Sequence, residues 1–286
     1  MGKFFIGNKN PDSEINWITQ KESYAVLKTS PYIAKIYTLP EEPDEDYDIL
    51  YNFDIEKQAT DLTEKIKANK KLGFCRGGDY LASFNFGAEY YLNTLFDDEL
   101  KKSNKKTYQE MMFEAAELPY KKQFHPIFLT EKDKEYGENF LTENNLNKNK
   151  LIGIHMGASS RWPSKVWHAD NLKEFIIKAK NNGYEILLFA GPNESEKHKQ
   201  FSEELQKQNI KIFRNNPNNS DMEFISLVNI CKTMICSDSF SLHISLALKK
   251  PTIGLFFCTP ADEIEDYGLL KKLVSPMLYD FFPEKM

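Results

Sequence analysis

The sequence predicts an α/β protein built on parallel sheets. Two observations carry that reading. Short apolar runs of strand length alternate with amphipathic helical segments through the second half of the chain. The strand-like runs also lack polar alternation, which is the pattern of strands buried on both faces.

Leu151–His155 is a β-rich run leading to Gly157. Leu172, Phe175, Ile176 and Ala179 recur at helical spacing, and Gly183 stands where a C-cap would end that helix. Tyr184–Ala190 reads as a strand, apolar without interruption from Ile186 and closed by Gly191-Pro192. A polar helix over Glu194–Gln208 and a short strand over Ile210–Phe213 follow. Asp221 is placed to cap a helix carrying Phe224, Ile225 and Val228. Thr233–Cys236 reads as a strand, Ser239–Leu248 as a helix ended by Pro251, and Thr252–Phe257 as another buried strand.

The first half shows weaker alternation. Its expected strands are Glu14–Ile18, Lys35–Leu39, Asp48–Asn52 and Lys71–Cys75, with helices over Lys57–Ala68 and Tyr108–Glu117. Thr130–Lys150 is charged and Asn-rich, a helix followed by an interdomain linker. Two domains are therefore expected, over residues 1–150 and 151–286.

Composition narrows the function. The chain has 286 residues, 42 acidic against 37 basic, for a net charge of −5, which argues against a nucleic-acid partner. No apolar run approaches the ~20 residues of a membrane-spanning helix, so membrane contact is expected to be peripheral at most. The N-terminal residues do not form a secretory signal. Cys75, Cys231, Cys236 and Cys258 show no Cys-x-x-Cys spacing, so they are expected to be reduced core residues of a cytoplasmic protein rather than metal ligands.

Three clusters fall at the carboxyl ends of expected strands, where open α/β sheets place ligands. His155–Trp167 offers Gly157, the hydroxyls of Ser159 and Ser160, and the charges of Arg161 and Lys165, a loop suited to an anion or else a plain surface loop. In Ala190–Glu194, Glu194 is placed to accept hydrogen bonds from sugar hydroxyls, or simply to favour a helix N-terminus. In Cys236–His243, Asp238 is expected to cap a helix starting near Ser239, and the N–H groups of that first turn suit a phosphate. A Ser/His/Asp hydrolase does not fit, because there is no Gly-x-Ser-x-Gly elbow and Ser and His share one helix. Asp46-Tyr47-Asp48 matches the Asp-x-Asp of metal-dependent transferases but ends an acidic run that reads as a solvated loop.

Together these clusters resemble glycosyltransferase family 9, the heptosyltransferases. The matching elements are His155-Met-Gly-Ala158, Trp162-Pro-Ser-Lys165, Gly191-Pro-Asn-Glu194, Asp238-Ser-Phe-Ser-Leu-His243 and Pro251-Thr-Ile-Gly-Leu-Phe256, in the family's order and spacing. Asn10–Ile18, Ser30–Ile33, Tyr47–Leu50 and Gly73–Gly78 are similar more loosely.

The resemblance implies a GT-B architecture of two Rossmann-like domains, the first binding the acceptor and the second a nucleotide-diphosphate sugar donor. It implies that Lys165 and the Ser239–Phe240–Ser241 backbone hold the diphosphate, with Ser159 assisting, Glu194 on the ribose, and Asp238 and His243 in the same donor site. It implies transfer of a sugar, heptose above all, to lipopolysaccharide or another envelope glycan. The implied mechanism is inverting and uses no bound metal or cofactor. Two departures stand out. Phe240 occupies the family's phosphate-loop glycine position. The family's opening strand and Gly-Asp loop, whose Asp is the proposed base, have no counterpart, so no catalytic residue is assigned. The expectation is an N-terminally truncated chain whose first domain lacks its opening βα unit. The alternatives are a degenerate homologue that binds nucleotide-sugar without transfer, and a sugar-nucleotide epimerase of similar fold.

Overall fold

A computed structural model describes residues 13–155, 157 and 163–281. The chain divides into two compact units, one formed by residues up to His125 with Asp262–Glu265, the other by Pro126–Ala261 and the residues from Asp266 onward.

The first unit holds β1 (Asn16–Thr19), α1 (Tyr24–Leu27), β2 (Lys35–Thr38), β3 (Tyr47–Asn52), α2 (Lys57–Lys65), β4 (Ala68–Gly77), β5 (Tyr80–Ser83), α3 (Phe86–Phe96), α4 (Asp98–Ser103) and α5 (Tyr108–Ala115). β1 and β2 form a parallel pair, while β3, β4 and β5 form a separate sheet in which β5 runs antiparallel to β4. All four expected strands are present within a few residues. The β4–β5 hairpin was not anticipated; Gly78, at φ +67°, turns it. α3 and α5 pack Ala88, Leu92, Met111, Met112 and Ala115 against Phe74 of β4. Gly73, at φ +92°, lies so close to Asn52 that a side chain there would overlap the Asn52 carbonyl, while its N–H donates to Asn85. Asp262–Glu265 joins this unit through the buried carboxylate of Glu265, which accepts from the Tyr120 hydroxyl at 2.7 Å and lies 3.5 Å from Lys122.

The second unit holds α6 (Glu131–Glu143), β6 (Leu151–His155), α7 (Ala169–Asn181), β7 (Glu185–Phe189), α8 (Ser195–Lys207), β8 (Phe213–Arg214), α9 (Asp221–Ile230), β9 (Thr233–Ser237), α10 (Phe240–Ala247), β10 (Thr252–Phe256), β11 (Leu270–Val274) and α11 (Leu278–Phe281). The strands form one parallel six-stranded sheet in the order β11-β10-β9-β6-β7-β8. On one face, Ile152, Ile154, Ile186 and Leu188 meet Leu172 and Ile176 of α7 and Phe201 and Leu205 of α8. Burial of each such side chain contributes about 1.5–3 kcal/mol. α7 ends as expected: Gly183, at φ +77°, donates to Lys180 and Tyr184 donates to Ala179, a Schellman motif.

The structure corrects two expectations. The helix expected after Thr130 is present, but it does not close the first domain. α6 opens on a Thr130–Asp133 capping box and belongs to the second unit, where the Gly137 N–H donates to the Ser226 hydroxyl of α9 at 2.9 Å. The division therefore falls at His125/Pro126, not at residue 150. The cap of α9 is Ser220, in a reciprocal capping box with Glu223; Asp221 is the first helical residue. All four cysteines are buried and unpaired, as expected.

Two measurements follow from this packing. A methyl group at Gly137 would lie 2.7 Å from the Ser226 carbonyl oxygen. Gly137→Ala should therefore destabilise the protein by about 1–3 kcal/mol in denaturant unfolding, although Gly→Ala in an open helix stabilises by about 1 kcal/mol. A stabilised variant would show that the α6–α9 contact is looser than described. His198 is 2% exposed and donates from Nε2 to the Leu188 carbonyl. Burial, with the charge of Arg214, lowers its pKa from 6.5 to about 4. The unfolded chain thus binds the extra proton as pH falls from about 7 to about 4, and stability falls with it, by roughly 3 kcal/mol from this group. His198→Gln should lose that part of the acid dependence; an unchanged slope would contradict the assignment.

Candidate anion site at the sheet switch point

The strand order places the site. From β6 the chain builds outward through β7 to β8, then returns to the other side of β6 with β9 and continues to β10 and β11. The order reverses between β6 and β9, so their carboxyl ends border a crevice with no crossover helix between them. The loops leaving those two strands carry Lys165 and Asp238.

Lys165 and Asp238 meet there. The Lys165 ammonium donates to the Asp238 backbone carbonyl at 3.0 Å and to its carboxylate at 2.9 Å. The two side chains are only 12% and 20% exposed, so this is a largely desolvated ion pair rather than a surface contact. His243 lies one turn along α10, its Nε2 3.9 Å from the second carboxylate oxygen of Asp238. Burial opposes ionisation of Asp238, but the charges of Lys165 and His243 outweigh it and hold the carboxyl below the usual carboxylate range. Burial also lowers the pKa of His243, against the attraction of Asp238.

Asp238 is thus not the helix cap that the sequence suggested. Ser239 takes the N-cap position in extended geometry, and its hydroxyl caps no backbone N–H of the helix, donating instead to the Ser237 carbonyl and sharing a hydrogen bond with the Ser241 hydroxyl. No side chain caps α10, so its first-turn N–H groups stay available to an anion. The Phe240 ring is 37% exposed and rests on Phe224 of α9, with centroids 5.8 Å apart; Phe224 in turn meets Phe189 at 5.1 Å and His155 at 6.2 Å.

The second contribution comes from the turn after β7. Glu194 accepts from the Gly191 N–H at 3.0 Å and lies directly on Gly157, where any side chain would overlap its carboxylate. Gly157 and the Glu194 side chain are thus in close contact, so a larger residue at 157 would displace that carboxylate. Burial lowers the His155 pKa, opposed by the Glu194 charge. The structure therefore brings Lys165, Asp238, Ser239, Ser241 and His243 together, and joins Glu194 to Gly157. Ser159, with Ser160 and Arg161, lies outside the described residues.

One group at this edge was not singled out from sequence. Ser237 Oγ, at the end of β9, is buried with no hydrogen-bond partner among the described residues. Unsatisfied buried polar atoms are costly, and a polar ligand at the crevice would relieve the cost. Position at a strand's carboxyl end was the available signal. Asn215 braces the same edge, accepting from Ala190 N–H and donating to the Ala190 carbonyl.

The family model described as glycosyltransferase family 9 (heptosyltransferase) matches residues 43–279. Lipopolysaccharide heptosyltransferase 2 of Salmonella typhimurium is 27% identical over 105 residues, which is 36% of this chain and 29% of that protein's length. The crystal structure of a family 9 glycosyltransferase from Veillonella parvula superposes with a TM-score of 0.76 at 17% identity, over 94% of this chain and 80% of that one. The structure of Escherichia coli ADP-heptose lipopolysaccharide heptosyltransferase II does so with a TM-score of 0.64 at 17% identity, over 94% and 83%. The α/β fold expected from sequence is the one these GT-B proteins share. With the family model covering most of its length and its fold matching, the chain belongs to glycosyltransferase family 9, the heptosyltransferases.

Proposed function

We propose that the protein transfers a sugar from a nucleotide-diphosphate donor to a lipopolysaccharide or related envelope glycan acceptor. The observation that carries this reading is the Lys165 ammonium fixed at 2.9–3.0 Å on Asp238, beside the uncapped first turn of α10 at the sheet's switch point. An E. coli neighbour described as an ADP-heptose heptosyltransferase supports ADP-heptose as the donor class.

In this reading Lys165, the backbone N–H groups of Phe240 and Ser241, and the hydroxyls of Ser239 and Ser241 grip the diphosphate. Ser159 assists, and Glu194 takes the ribose hydroxyls. Bond breaking at the sugar carbon leaves negative charge on the departing diphosphate, and a lysine with a helix N-terminus is preorganised to receive it. The acceptor hydroxyl attacks from the opposite side, so the sugar carbon inverts. Its proton must go to a base to which no residue is assigned. Asp238 and His243 act by holding Lys165 and the turn in place. Among the described residues no helix is long and apolar enough to cross a membrane. The reading places the protein in the cytoplasm, with peripheral contact at the inner face of the inner membrane.

A second reading is favoured by one observation. The Phe240 ring stands 37% exposed at the family's glycine position, where bulk narrows room for the donor. A protein with that restriction binds nucleotide-sugar without transferring it.

Titration of ADP and UDP, by calorimetry, tests the shared core of both readings. ADP should bind, and Lys165→Ala should weaken it by about 2 kcal/mol, near 30-fold, the loss of a charge-assisted contact. Unchanged affinity would remove Lys165 from the site. Incubation with ADP-heptose and a lipopolysaccharide acceptor then separates transfer from binding alone.

A further inference from the structure

The second unit carries another concave surface, which shares only Asn215 with the edge described above. A cavity of about 640 Å3 opens beside β8, the edge strand of the six-stranded sheet. Its walls come from α6, the start of α8 and the chain around β8. Three of the lining residues are cations, Lys199, Lys211 and Arg214, and none is a carboxylate. In a chain with more acidic than basic residues, this is a local reversal of sign.

Nothing among the described residues neutralises the three charges, since none takes part in an ion pair. The Lys211 ammonium sits 4.9 Å from the centroid of the Phe213 ring, which orients the side chain without cancelling its charge. Glu196, close by in sequence, accepts from Gln200. The field of Arg214 reaches the buried ring of His198, where it adds to burial in keeping the imidazole neutral. Three like charges facing one hollow repel each other, and an anion there relieves the repulsion. Phe140, Ile212 and Pro217 add apolar wall, and the volume lies within the ~300–1,000 Å3 range of small-molecule sites.

We propose that this cavity binds a small phosphorylated molecule, with Lys199, Lys211 and Arg214 around its phosphate, at a site separate from the Lys165–Asp238 crevice. A phosphate fits better than a carboxylate. It brings up to two charges and three acceptor oxygens, which suit one guanidinium fork and two ammonium groups, whereas a single carboxylate leaves cations uncompensated. The proposal does not rest on the transferase reading, since no lining residue belongs to the Lys165 cluster.

Inorganic pyrophosphate, titrated by calorimetry at low salt into the full chain, is the test. In a Lys165→Ala background, pyrophosphate should still bind, and adding Lys211→Gln and Arg214→Gln should weaken it roughly tenfold or more. Adding Lys207→Gln and Lys232→Gln instead, equal in charge but outside the cavity, should leave binding unchanged. Lys199→Gln alone, on the exposed start of α8, should weaken it severalfold with no loss of thermal stability. This single variant keeps the test open if the double substitution unfolds. The proposal is overturned if Lys165→Ala abolishes all pyrophosphate binding, an outcome that leaves the crevice assignment standing. It is also overturned if the cavity variants bind as tightly as their parent, or if the control pair weakens binding equally.

Discussion

A lysine ammonium withdrawn from water and held between a backbone carbonyl and a carboxylate is the constraint on which the site depends. Desolvating Lys165 and Asp238 costs several kcal/mol for each charge, and the cost is offset only because the two meet at hydrogen-bonding distance, with His243 close behind. Losing one partner would leave the other buried and uncompensated. The pair therefore ties the loop after β6 to the loop after β9, two segments 73 residues apart, across the gap that the sheet's strand order creates. Because Asp238 is engaged in this way and the Ser239 hydroxyl donates to the Ser237 carbonyl, the first turn of α10 keeps its N–H groups free of side-chain caps.

The same edge is tuned by close approach. Glu194 lies on Gly157, and Asn215 ties the end of β7 to the end of β8 by bonding both backbone groups of Ala190. The turn that presents Glu194 is thus fixed from two sides. Ser237 Oγ, buried at the end of β9 with no hydrogen-bond partner among the described residues, adds hydrogen-bonding capacity to the same edge.

Much of the second unit was legible in the sequence because its strands are buried on both faces. A continuous apolar run as short as Ile186–Ala190, closed by Gly-Pro, suits a covered strand far better than an amphipathic helix. β11 was not legible, since Lys271 and Lys272 break up its apolar character at the sheet edge. The helix after Thr130 was legible, but its docking on the second unit was not, because only Gly137 and Leu141 of α6 are buried, too few positions to mark an apolar face. In the first unit, β5 was lost in a hairpin, and α3 keeps exposed Phe86 and Phe96 at its two ends, which blurs any apolar face. The candidate residues stood out because their motifs sit at strand ends. Their pairing was not, since a side-chain contact between Lys165 and Asp238 leaves no trace in local sequence, and Asp before a helix reads first as a cap.

A crystal structure of the protein with ADP bound tests this account most directly. The account predicts a diphosphate within hydrogen-bonding distance of both the Lys165 ammonium and the Phe240 and Ser241 backbone N–H groups. ADP seated elsewhere, or with its diphosphate touching neither, would contradict it.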